Sequence, residues 1–127
     1  MMVVDTSALM AVALDEPAAD QVSAGLEGAS EIALSAVTMA EALIVAGLRG
    51  LGPEMQRLIE GLGTEVVPVT PADALRVAAV YRRWGKGNHP AGLNFGDCFS
   101  YALAQARACP LLYVGDDFSQ TDVQRAN

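Results

Sequence analysis

At 127 residues, with 52% of them apolar, the chain is sized for one domain with a substantial core, and its composition argues against disorder. The net charge of −7, from 15 acids against 8 bases, argues against broad electrostatic attraction to a polyanion, unless several of the acids are ligands for divalent cations. The longest apolar run near the start, Ala8 to Leu14, falls far short of the roughly 20 residues that span a bilayer. With no basic leader ahead of it, the chain is expected to be cytoplasmic.

Met1–Val4 reads as a buried strand that delivers Asp5 at its end. A helix is predicted from Ser7 to Leu14, capped by Thr6 or Ser7, and a second from Pro17 to Leu26, with proline at a favoured first position. Glu31–Ser35 reads as a short strand. Thr38-Met39-Ala40-Glu41 has capping-box spacing and opens a helix to Leu48, closed by Gly50 and Gly52. Pro53 starts another, to Gly61. Glu65–Val69 is a β-branched strand, and Thr70-Pro71-Ala72-Asp73 opens a helix that ends near Trp84.

Gly85 to Gly92 reads as a loop. Asn94 or Gly96 then caps a helix running to Ala108, with Asp97 in its first turn. Leu111–Val114 is an apolar strand ending in Gly115-Asp116-Asp117. The polar tail from Phe118 has room for a last short helix and a further strand near Val123. Short apolar strands alternating with helices predict an α/β fold, with a parallel sheet covered on both faces.

Cys98 and Cys109 lie eleven positions apart, a separation that can be followed as if both continued one helix. At about 1.5 Å per residue they stand roughly 16 Å apart, beyond the roughly 7 Å that a disulfide tolerates, so two free, buried thiols are expected. No cysteine or histidine spacing suggests zinc.

In an open parallel sheet, sites form beyond the carboxyl ends of the strands. Asp5 ends the first strand and Asp116 the last. Asp97 opens a helix at the same edge, and Glu41 lies one turn into a helix that follows another strand. Each acid also has a local reading. Asp5 can cap the first helix, Glu41 can complete a capping box, Asp116 can belong to a turn, and Asp97 can favour a helix dipole. Local roles do not explain acids gathered on one edge without basic partners. Two carboxylates about 4 Å apart repel by about 4 kcal/mol at an effective dielectric near 20. Hard oxygen donors favour Mg²⁺ or Mn²⁺. Thr6 and Ser7 can either cap the helix or orient a carboxylate.

Arg82, Arg83, Lys86 and His89, interleaved with Tyr81 and Trp84, form the densest basic patch. Such a patch can grip phosphates and stack a base, or can be a solvated helix end. Arg49 and Arg57 are isolated. With one histidine, a metal-free ribonuclease using paired imidazoles is excluded. Phosphoryl transfer on an aspartate is disfavoured, because the only lysine, Lys86, is far in sequence from the late strand.

Four segments carry a resemblance to a known family: Val3-Val4-Asp5-Thr6-Ser7-Ala8; Glu41 in its helix; Leu93 to Ala104, containing Asn94-Phe95-Gly96-Asp97-Cys98; and Leu111 to Phe118, followed by Thr121-Asp122-Val123. Together they resemble PIN-domain ribonucleases, most closely the toxins of VapBC-type toxin–antitoxin pairs. The resemblance implies a three-layer α/β/α sandwich and a Mg²⁺-dependent endoribonuclease acting on tRNA or rRNA and inhibiting translation. Its acidic quartet would be Asp5, Glu41, Asp97 and Asp116, with Asp5 and Asp97 the main metal ligands and Asp116 favoured over Asp117. Products would carry a 5′-phosphate and a 3′-hydroxyl. A VapB-type antitoxin and a homodimer are also implied. Ala8–Leu14, Val22–Leu26, Met39, Leu43 and Leu48 can offer the antitoxin an apolar groove, or, for most of these side chains, belong to the ordinary core. An inactive PIN-like binding module is the non-enzyme alternative.

Overall fold

Side chains of the strands alternate between two separate cores, as a pleated strand with helices on both faces requires. A computed structural model describes all 127 residues. Its strands are β1 (Met2–Val4), β2 (Ile32–Ser35), β3 (Glu65–Val67) and β4 (Leu111–Leu112). Its helices are α1 (Thr6–Ala13), α2 (Ala19–Glu27), α3 (Ala36–Leu48), α4 (Gly52–Gly61), α5 (Pro71–Trp84) and α6 (Phe95–Arg107). Met2, Val4, Ile32, Leu34 and Leu112 point into a core shared with α1 to α4. Val3, Ala33 and Leu111 point the other way, against Val77, Val80, Phe99 and Ala102 of α5 and α6. The result is the expected α/β/α sandwich.

All pairings are parallel, in the order β3-β2-β1-β4. Val3 pairs with Ala33 on one side and with Leu111 on the other, so β1 is central. The chain builds outward from β1 to β3, then returns past it to lay down β4. The carboxyl ends of β1 and β4 therefore flank a switch in winding direction, where such sheets hold their sites. The tail closes the sheet edge: Leu111 N–H donates to Gln124 O at 2.8 Å, and Ala126 N–H to Leu111 O at 2.9 Å. No helix is long and apolar enough to cross a membrane.

Several boundaries differ from the sequence expectation for identifiable reasons. β3 stops at Val67, because Pro68 brings no N–H to the ladder. β4 stops at Leu112, and the Val114 N–H goes instead to the Ser7 hydroxyl at 3.0 Å. Pro17 lies in a turn before α2 rather than at its first position. α3 begins at Ala36 with Ser35 as its cap, so Thr38 and Glu41 are already inside the helix and form no capping box. The tail after β4 is built of turns, with no helix.

Two helix starts follow their expected chemistry. Thr70 and Asp73 form a reciprocal capping box for α5, and Asn94 and Asp97 form one for α6. Cys98 is buried and Cys109 half-buried, and both are free thiols. The expected apolar groove is largely consumed by the core: Ala8 to Ala11, Val22 and Leu26 are buried, whereas Leu48 stays exposed.

Leu34 is fully buried at the centre of the first core, whereas Leu48 is 82% exposed. Leu34→Ala is expected to lower stability by about 2–5 kcal/mol. Leu48→Ala should change the stability of the isolated chain by less than about 0.5 kcal/mol. Urea melts of the two variants check this, and similar losses in both would contradict the assigned layers.

Candidate active site

β1 ends at Val4, so the next residue leaves the sheet at its carboxyl edge. That residue, Asp5, is 3% exposed and caps α1. Its Oδ2 accepts from Ser7 N–H at 3.0 Å and from the Ser7 hydroxyl at 2.7 Å. Its Oδ1 accepts from the Ser100 hydroxyl at 2.6 Å. Ser100 Oγ in turn lies 3.3 Å from Thr38 Oγ1. One carboxylate thus ties β1 to α1 and α6, and through Thr38 to α3.

Asp97 reaches the same edge from α6. Its N–H donates to Asn94 Oδ1 at 2.8 Å, and its own Oδ2 accepts from Asn94 N–H at 3.0 Å. It too is buried. Burial is the main force that raises its pKa, from an ordinary 3.8 to about 7; the charges of Asp5, Asp117 and Glu41 push the same way, against the stabilising Asn94 N–H.

Glu41 arrives from the second turn of α3. Its Oε1 accepts from the Thr6 hydroxyl. Its carboxylate rests on Gly96, so closely that a Cβ there would overlap both oxygens. The glycine beside Asp97 is therefore required by a neighbouring acid rather than by its own backbone angles.

The last contribution comes from the turn after β4. Gly115, at φ 95°, redirects the chain, and both Asp116 and Asp117 are exposed. Of the doublet, the Asp117 charge adds to the upward push on Asp97, and Asp116, the fourth acid favoured from the sequence, is its neighbour in the same turn. The sequence preference rested on β4 running up to the doublet. The strand ends at Leu112, and a turn intervenes before the doublet. The Asp116 carbonyl accepts from Ser119 N–H at 3.1 Å and from the Ser119 hydroxyl at 2.6 Å, which fixes that turn.

No basic side chain neutralises this group. The ion pairs of the molecule join Arg57 to Glu54, Arg76 to Asp73, Arg83 to Asp122 and Arg107 to Glu65, all elsewhere. The donors are hard oxygens, which suit Mg²⁺ or Mn²⁺. No three acids stand close enough to enclose an ion. Hydroxyls and backbone N–H groups hold the carboxylates instead, so the set matches such a cation chemically without forming a closed cage.

The basic patch is thinner than its sequence suggests. Arg83 lies 3.8 Å from Asp122 and stacks over Trp84 at 4.5 Å. His89 accepts Ala91 N–H on its Nδ1 at 3.0 Å and sets its ring edge-on to Trp84. Trp84 itself is buried. Arg82 and Lys86 remain exposed and outside any ion pair. Among the supporting residues, Ser100 carries a readable signal: it stands three positions after Asp97, on the same helical face. Thr38 and Gly96 carry none, since their roles depend on helices meeting across the sheet.

A carboxyl group that the fold holds protonated makes the metal-free protein most stable in acid. This contribution is fully present below about pH 4 and disappears as pH rises through about 7, where Asp97 must ionise in place. Asp97→Asn keeps an acceptor for Asn94 N–H and removes the charge. In a chelator, its melting temperature should fall less than wild type between pH 4 and 7 and exceed wild type at pH 8. Parallel melting curves for the two proteins across that range would show that Asp97 is not desolvated.

Comparison with known proteins bears on family and fold. A PIN-domain family model matches residues 2–124. Ribonuclease VapC36 of Mycobacterium tuberculosis is 47% identical over 128 residues, covering 97% of this chain and 91% of that protein. Ribonuclease VapC28 of the same species is 44% identical, covering 98% and 97%. Among solved structures, the sarcin–ricin-loop-cleaving toxin VapC20 of M. tuberculosis superposes with a TM-score of 0.80 over 97% of this chain and 96% of that one. A toxin–antitoxin complex from Klebsiella pneumoniae gives 0.72 over 96% and 93%. At 15% and 19% identity, these two likenesses establish the fold alone. The family match over residues 2–124 and the nearly end-to-end sequence relatives establish that the chain belongs to the PIN-domain family, in its VapC group.

Proposed function

We propose that this chain is a Mg²⁺-dependent endoribonuclease toxin, with Mn²⁺ as an alternative ion. The observation that carries the reading is the buried Asp97, surrounded by the charges of Asp5, Glu41 and Asp117 with no cationic side chain among them. A neutral phosphate-binding surface has no use for such a cluster, and a polyanion would be repelled by it. A divalent ion between cluster and phosphate reconciles the two. The relatives named as ribonucleases support the same reading.

Asp5 and Asp97 would hold the ion, with Glu41 and the acidic turn completing its surroundings. When bound, such an ion supplies positive charge against the phosphate and lowers the pKa of the attacking water. The chain contributes the rest. Ser7 and Ser100 fix both oxygens of Asp5, so that it presents one orientation. The Thr6 hydroxyl holds Glu41, which stands ready to accept a proton from water. Arg82 and Lys86 are free to meet phosphates flanking the cut. Hydrolysis would leave a 5′-phosphate and a 3′-hydroxyl.

The substrate class we favour is tRNA or rRNA, whose cleavage inhibits translation. A VapB-type antitoxin would cover the acidic edge, with a basic side chain taking the place of the ion. The exposed side chains of Ile44 and Leu48 on α3 offer apolar anchorage for a partner, either the antitoxin or a second copy in a homodimer.

Asp97→Asn is expected to reduce Mg²⁺-dependent cleavage by more than about a hundredfold, beyond the usual range for a change outside the first ligand shell. Its circular dichroism should match that of wild type. Sequencing of RNA 5′-ends from cells expressing each protein should show wild-type-specific ends at a few positions in tRNA or rRNA. Undiminished cleavage by the variant would overturn the assignment.

A further inference from the structure

The Thr121-Asp122-Val123 segment lies beyond the acidic cluster, and nothing in the cleavage chemistry above uses it. Its contacts are specific. The Tyr101 hydroxyl donates to Asp122 Oδ1 and accepts from Trp84 Nε1 at 3.2 Å. Arg83 faces the other Asp122 oxygen at 3.8 Å, while its guanidinium lies over Trp84. Tyr101 and Trp84 are both buried. An exposed segment of the tail is thereby fastened to α5 and α6 through one carboxylate. Burial, with the Asp122 bond next, pushes the Tyr101 hydroxyl up to about 12, so it stays a donor throughout the physiological range.

What this fastening holds is the acidic turn. The segment from Val114 to Asp122 is pinned at its entry, where Val114 N–H donates to the same Ser7 hydroxyl that binds Asp5. Its middle is anchored by Phe118, which is buried against Tyr113 with ring centroids 5.1 Å apart. Thr121 N–H closes a turn on Phe118 O at 3.0 Å. Asp122 pins the exit. Neither end involves a carboxylate of the cluster, and Asp117 lies between them.

We infer that Asp122 is a positioning residue: its grip on Tyr101 clamps the exit of the acidic turn and so sets the geometry of the ion site. The effect on ion binding rests on the proposed metal-dependent function; the clamp itself does not. Arg83 adds its charge to the clamp from a solvent-exposed position.

The test uses the full chain and two variants that break the bond from opposite sides, Asp122→Ala and Tyr101→Phe. Arg76→Ala, which removes the exposed ion pair with Asp73, is the control. Amide hydrogen exchange in chelator should accelerate at Ser119 and Thr121 by about tenfold in both clamp variants and stay unchanged in the control. The double variant should be no faster than the faster single one, since both changes remove one interaction. Mn²⁺ titration by calorimetry should show affinity about ten- to a hundredfold weaker in the clamp variants, the range for residues that orient ligands. Should Tyr101→Phe fold poorly, Asp122→Ala decides alone, because Asp122 is exposed. Unchanged exchange in the acidic turn would overturn the clamp. Faster exchange with unchanged Mn²⁺ affinity would overturn its positioning role. Absence of Mn²⁺ binding by wild type would refute the metal reading and the positioning role with it, while the exchange result would still decide whether the clamp exists.

Discussion

Carboxyl groups gathered at one sheet edge, two of them out of water, are the constraint on which this molecule turns. Asp5 and Asp97 are buried at one edge of the sheet, Glu41 packs against the glycine beside Asp97, and Asp117 adds its charge from the next turn. Burial favours protonation, and each neighbouring carboxylate adds to the same tendency. The fold meets part of this cost with hydroxyl and amide donors, and part by leaving Asp97 neutral in mild acid. The surrounding side chains provide no cation to offset the remainder, and this is the ground for the proposed ion site.

The topology explains how such a group forms at all. β1 is central, and its carboxyl end lies beside that of β4, where the winding of the sheet reverses. Asp5 leaves the first of these ends and the acidic turn leaves the second. α3 and α6 approach from opposite layers, and the Thr38–Ser100 contact marks where they meet. Asp5 receives the Ser100 hydroxyl at that meeting point, so its position depends on both layers being assembled. Site geometry is thus a product of the whole sandwich.

Much of this was legible in the chain itself. Strand–helix alternation, proline and Thr-Pro starts, and the apolar runs that become β1 and β2 are local signals, and they indicated the parallel sandwich. Asp5, Glu41 and Asp97, which the structure brings to one edge, stand out in sequence because strand ends and helix starts announce themselves. What escaped were features decided by contacts between distant segments. The Thr38–Glu41 spacing imitated a capping box, but Ser35 caps the helix because β2 runs directly into α3. The course of the chain into the Asp116–Asp117 doublet depends on the turn at Gly115, which no local pattern specifies. The apparent basic patch lost Arg83 to Asp122, 39 positions later in the chain. For the apolar faces of α1 and α2 the core reading holds rather than the groove, a choice the sequence left open because an apolar helix face reads alike whether it meets a partner or the core.

The central claim, that a desolvated carboxyl shared among like charges awaits a divalent ion, is tested most directly by the protons that binding displaces. Calorimetric titration of Mn²⁺ at pH 7, repeated in buffers of different ionisation enthalpy, measures that number. With the Asp97 carboxyl near pKa 7, about half a proton should leave per ion bound at pH 7, more at pH 6, and almost none in Asp97→Asn. Binding without proton release at either pH, or no binding at all, would contradict the account.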